Sequence, residues 1–119
     1  MDNIANSILQ SVKKMLGINP EYEEFDVDII LHINSVFSIL SQIGAGPASG
    51  FMISDGSATW ADYMEDSPEL NNIKSYMYLK VRLLFDPPQN SAITKVIETQ
   101  VTELEYRINY AVDKGVTEG

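Results

Sequence analysis

The chain has 119 residues, no cysteine, and 17 acidic against 8 basic side chains, for a formal charge of −9. That inventory excludes a disulfide framework, a zinc-thiolate site and a cysteine nucleophile, and it opposes non-specific phosphate binding, which needs clustered Lys and Arg. A chain of this length buries roughly two-thirds of the surface its unfolded form exposes, so one domain over residues 1–119 is expected, with a core that needs no staples. There is no run of about 18 apolar residues and no charged-then-apolar N-terminal order, so the reading is a soluble protein with no membrane partner.

In chain order, Ile4, Ala5, Ile8, Leu9, Val12, Met15 and Leu16 recur on one side of a first helix, with Gly17 as its stop. Lys13 and Lys14 fall in its last turn, where dipole complementation and solvation account for them. Asn19-Pro20 marks a turn, and an acidic linker, GluTyrGluGlu, follows. Asp26 is placed to cap a second helix from Val27 to Gly44, whose apolar face holds Ile29, Ile30, Ile33, Val36, Phe37, Ile39, Leu40 and Ile43. His32 lies among them with Asp28 one turn earlier. Such a pair can hold a metal or exchange a proton, but without a third ligand a hydrogen-bonded histidine at the core edge is the simpler reading.

The stretch from Ala45 to Pro68 is the least helical. Phe51, Met52 and Ile53, between Gly50 and Asp55-Gly56, suggest one short extended segment in a flexible loop. A lone strand leaves backbone groups unpaired, so it must lie on the helices or pair with another subunit. Thr59-x-x-Asp62 is a weak capping box opening a short helix, and the sole tryptophan, Trp60, is either a lid on the core or an interface anchor.

Ser67-Pro68-Glu69 starts the central helix with a cap, a first-turn proline and an acid at the positive end of the dipole. Ile73, Tyr76, Met77, Leu79, Val81, Leu83, Leu84 and Phe85 cover well over half its circumference at about 100° per residue, leaving a polar strip of Lys74, Ser75, Tyr78 and Arg82. Lys80 falls within the apolar arc and is expected to pair with a carboxylate. Pro87-Pro88 ends this helix. A last helix from about Ser91 to Asp113, stopped by Gly115, carries Ile93, Val96, Ile97, Val101, Leu104, Ile108, Ala111 and Val112 on one stripe. Glu103 and Arg107 are spaced as an ion pair. Tyr106 and Tyr110 stand off that stripe, one turn apart, as interfaces favour.

The architecture expected is therefore all-α: a small bundle of about four main helices, with a flexible loop containing one short extended segment. No phosphate-cradling loop, nucleophile elbow, calcium loop or zinc-helix motif occurs, so no enzyme activity, cofactor or metal is expected. An interaction or structural protein is the reading that the residues support.

Four stretches, DVDIILHINSVFSILSQIGAGP, FMISDGSATWADY, IKSYMYLKVRLLFDPPQNSAI and ETQVTELEYRINYAV, resemble the head-tail connector (adaptor) proteins of tailed double-stranded DNA bacteriophages. The resemblance spans about Ile4 to Val112, and the central helix ending in PheAspProPro is its most specific piece. It implies a virion protein of the neck, between head and tail, made in the host cytoplasm. It further implies a homo-oligomeric ring, commonly of twelve copies, bound to the portal protein and to the next neck or tail-completion protein. Packaged DNA would pass through without specific binding, which suits an acidic channel. A ring of rotated copies needs two different complementary patches. Phe51, Met52, Ile53 and Trp60 are expected in one, and Glu103, Tyr106, Arg107 and Tyr110 in another or in the portal contact. Two other classes stay open: an acidic DNA mimic that inhibits a host factor, and a metal-dependent or hydrolytic enzyme using Asp28, His32 and loop carboxylates.

Overall fold

The computed structural model describes residues 6–113; Ile4, Ala5 and Gly115 of the expected first and last helices lie outside that range. Among the described residues five helices follow one another: α1 (Ile8–Met15), α2 (Asp26–Ile43), α3 (Trp60–Tyr63), α4 (Pro68–Phe85) and α5 (Ser91–Asp113). Among the described residues there is no strand, only one isolated antiparallel bridge between Ser7 and Thr59. The fold is a small all-α one, as expected, 40 × 37 × 22 Å in extent.

Local chemistry sets most helix ends. Ser7 caps α1 by accepting from the Gln10 amide, while its hydroxyl donates to the Gly56 carbonyl at 2.7 Å, so one serine both starts a helix and fastens the loop. Thr59 and Asp62 form a reciprocal capping box on α3. Ser67 caps α4 ahead of Pro68, and the backbone leaves helical geometry at Asp86, where Pro87 disfavours it. Gly44 closes α2 in the left-handed region (φ 104°), with the Leu40 carbonyl accepting from the Gly44 and Ala45 amides.

The expected cap at Asp26 does not form. Phe25 is the N-cap of α2 and makes no side-chain cap bond, because the Asp26 carboxylate is turned away to an ion pair. α2 has a mean hydropathy of 1.2 over 18 residues, long and apolar enough by composition to cross a membrane. Here Ile29, Ile33, Val36, Phe37 and Leu40 are buried in the core instead.

α4 is the central element, packed on both α2 and α5, with Ile73, Tyr76, Met77 and Val81 fully enclosed. Burying each such large side chain contributes about 1.5–3 kcal/mol before entropy is counted. Its Leu84 is 49% exposed, so the apolar arc is less covered than the pattern suggests. Lys80 is half-buried and no carboxylate lies within ion-pairing distance of it among the described residues, so its stem packs while its ammonium reaches water. On α5, Ile97, Val101 and Ile108 are buried, but Ile93 and Val96 of the same stripe are exposed: the first turns of this helix run beyond the surface that α4 offers.

Candidate interaction surface

The Asn34 side chain pins the middle of the loop between α2 and α3. The Asn34 amide donates from Nδ2 to the Ile53 carbonyl (2.9 Å) and accepts at Oδ1 from the Ile53 N–H (2.8 Å), pairing both backbone groups as a neighbouring strand would. The backbone of Ile53 thus finds its partner inside the subunit. Ile53 is 4% exposed, and Phe51 is half-buried against Phe37 and Tyr63 at ring separations of 5.0 and 5.2 Å. Met52, between them, is 72% exposed.

Trp60 is the lid rather than an anchor. It is 4% exposed, packs near Phe37 and Tyr63, and donates its indole N–H to the Ser11 hydroxyl at 3.0 Å. Its apolar face is packed inside the subunit. Ile53 is enclosed in the same way.

The α5 residues lie as the spacing places them. Glu103 and Arg107 form an exposed pair at 3.9 Å, and Tyr106 and Tyr110 are 77% and 63% exposed. The loop set and the α5 set therefore contribute Met52, Tyr106, Tyr110 and one solvated ion pair to the surface.

Three features escape the hydropathy pattern. Lys13 is completely buried, 2.8 Å from Asp26 Oδ1, and its ammonium donates to the carbonyls of Pro20 (3.1 Å) and Tyr22 (2.8 Å). Dipole and solvation do not explain it. Its place between Leu9, Val12 and Leu16 on the wheel is the signal that could have found it. A chain of aromatic edges, Tyr22 to Phe25 (5.6 Å), Phe25 to Phe85 (5.4 Å) and His32 to Phe85 (6.2 Å), covers the end of the bundle where α2 starts and α4 stops. His32 is thus a core-edge side chain against a ring, and Asp28 beside it is exposed. No group of three His, Cys, Asp or Glu that could hold a metal occurs among the described residues. Third, a groove of about 770 Å³ runs between α1, α4 and α5, with Lys14, Lys74 and Arg107 in its lining.

A smaller cavity of about 390 Å³ lies toward the C-terminal end of α5, lined by Tyr63, Ile108 and Val112 among others. The Tyr63 hydroxyl is buried with no hydrogen-bond partner, and burial pushes its pKa up to about 12. Tyr76, fully buried, is also raised, first by burial and then by the hydrogen bond it donates to Glu105 Oε2 at 2.7 Å. Asp55 is lowered by accepting from the Ser57 hydroxyl and amide, an exposed turn rather than a site.

Residues 8–115 match the protein family described as phage connector protein. The chain belongs to that family. No curated protein and no solved structure matches this connector. As a member of a structural family, it is a virion component of the head-tail junction that interacts with other virion components such as portal or tail.

Proposed function

We propose that this connector acts as an adaptor ring below the portal, extending the DNA channel and docking the next neck or tail-completion protein. Residues 1–119 act as one connector domain. The family match over residues 8–115 carries the reading. The exposed residues support it: apolar and aromatic side chains stand out at separate places, Met52 on the loop, Tyr106 and Tyr110 on α5, Phe25 and Tyr22 at the bundle end. Contacts around a closed ring are heterologous and require such separate patches. Lateral contact uses Met52 with the exposed edge of Phe51, while Tyr106, Arg107, Tyr110 and Glu103 meet a neighbour or the portal protein. A formal charge of −9 keeps the ring from gripping passing DNA, since like charge repels the phosphate backbone.

The same reading puts the protein in the neck of the virion after synthesis in the host cytoplasm, in twelve copies, with no cofactor and no catalytic step. Imaging the neck of particles that carry this chain tests it. A ring of helical subunits between portal and tail is expected; finding the chain elsewhere in the particle, or in none, overturns the reading.

A further inference from the structure

The connector's few cations are not spread evenly. Of its 8 basic residues, Lys13 is buried in an ion pair, while Lys14, Lys74 and Arg107 come from three different helices to line one groove. Glu103 is the acid in that lining, and it is already paired with Arg107 at 3.9 Å. Lys74 sits 5.8 Å from the Trp60 ring centroid, which fixes its ammonium over the groove wall. Between the cations the groove is apolar, with Leu79, Leu104 and the half-exposed Met15. In a chain of −9, a long cleft with net positive charge and an apolar floor fits an acidic partner segment that also carries aromatic side chains.

The chain contains such a segment. Glu21, Tyr22, Glu23, Glu24 and Phe25 are all exposed, and none of them lines the groove of its own subunit. They are also presented rigidly. The Lys13 ammonium bonds the Pro20 and Tyr22 carbonyls, Asn19 Oδ1 accepts from the Glu21 amide, and Phe25 rests edge-on against Phe85. A segment ordered before binding loses little entropy when it docks.

We propose that the groove between α1, α4 and α5 receives the Glu21–Phe25 segment of a second copy of this chain, carboxylates to Lys14, Lys74 and Arg107, and rings to Leu79 and Leu104. The contact is heterologous, segment into groove, so it can propagate from copy to copy and close a ring. It deepens the adaptor reading and rests on it for the expectation that copies meet.

The absence of native cysteine allows a direct test. Glu23→Cys and Gln100→Cys, the latter an exposed neutral residue of the groove, are made separately, mixed, and treated with a short bismaleimide in free solution and in purified particles. The mixed product is expected in about tenfold excess over either self-product, and to fade at high salt. The double variant should give ladders longer than a dimer. A statistical mixture of products, both free and in particles, overturns the proposal.

Charge exchange gives the second arm. Lys14→Glu with Arg107→Glu, or Glu21→Lys with Glu24→Lys, should each abolish the ladder, and mixing the two variants should restore it. Both pairs are exposed, so folding is checked by an unchanged Tm. Loss without restoration, with particle attachment also lost, assigns the groove to another virion protein and overturns a second copy as occupant. Ladders from a protein absent from the neck would sink the adaptor reading and leave the groove contact standing. A neck ring without the specific cross-link does the reverse.

Discussion

Lys13 Nζ lies 2.8 Å from Asp26 Oδ1, with the lysine side chain wholly buried and the aspartate 23% exposed. The carboxylate makes a Coulombic contact rather than an aligned hydrogen bond, and the directed bonds of the ammonium go to the Pro20 and Tyr22 carbonyls. One cation thus fastens the end of α1 to the linker and to the first turn of α2. Lys13→Met should cost about 3 kcal/mol, since it strands a carboxylate and two carbonyls. Lys14→Ala, on the exposed side of the same turn, should stay within about 0.5 kcal/mol. Denaturant unfolding of the two variants separates them, and equal effects would show that Lys13 carries no such strap.

Asn34 should matter as much as a core apolar residue. Asn34→Ala removes both partners of the Ile53 backbone at once, for an expected loss of about 1–3 kcal/mol. Amide exchange at Ile53 reports it specifically: its protection should collapse in the variant while that of Val81, in α4, follows only the global change.

The two buried phenols should behave oppositely on losing their hydroxyls. Tyr63→Phe deletes a group without a partner and should be neutral or stabilising, by up to about 1 kcal/mol, whereas Tyr76→Phe takes a donor from Glu105 and should cost about 1–2 kcal/mol. Both pKa values are raised, Tyr63 to about 12. The stability that the neutral phenols supply is therefore whole below about pH 10 and falls as pH climbs from there, because the unfolded chain releases protons that the fold retains. Tyr63→Phe should flatten that alkaline decline, measured as unfolding free energy from pH 9 to 12.

Trp60 and Tyr106 should separate stability from assembly. Trp60→Ala is expected to cost about 3–5 kcal/mol by opening a cavity beside Phe37. Tyr106→Ala should leave Tm nearly unchanged while reducing incorporation into particles. If Tyr106→Ala incorporates like the parent protein, Tyr106 is not at an interface.

Helices, their order and every expected cap but that at Asp26 were legible in the sequence because apolar spacing and turn chemistry act locally. Ser67-Pro68, Thr59-x-x-Asp62 and Pro87-Pro88 each decide a boundary within four residues of themselves. What escaped the pattern depends on residues far apart in the chain. Lys13 reads as a surface lysine until Asp26 and two carbonyls close around it, and Asn34 reads as a polar interruption of α2 until Ile53 arrives. Ile93 and Val96 failed in the other direction: periodicity tells which side of a helix is apolar, but not how much of its length a neighbour covers. Exposure of the candidate residues was legible only in part, since Tyr106, Tyr110 and Met52 are exposed while Trp60 and Ile53 are enclosed. The groove was not legible at all, because its three cations come from three helices.

The Asn34 clamp also bears on how the protein behaves when crowded. With the amide and carbonyl of Ile53 occupied, a foreign peptide cannot add itself to the extended stretch through that residue. Crowding therefore meets a loop in which that one residue's hydrogen-bonding groups are already taken. A variant lacking the Asn34 amide would leave both of them open.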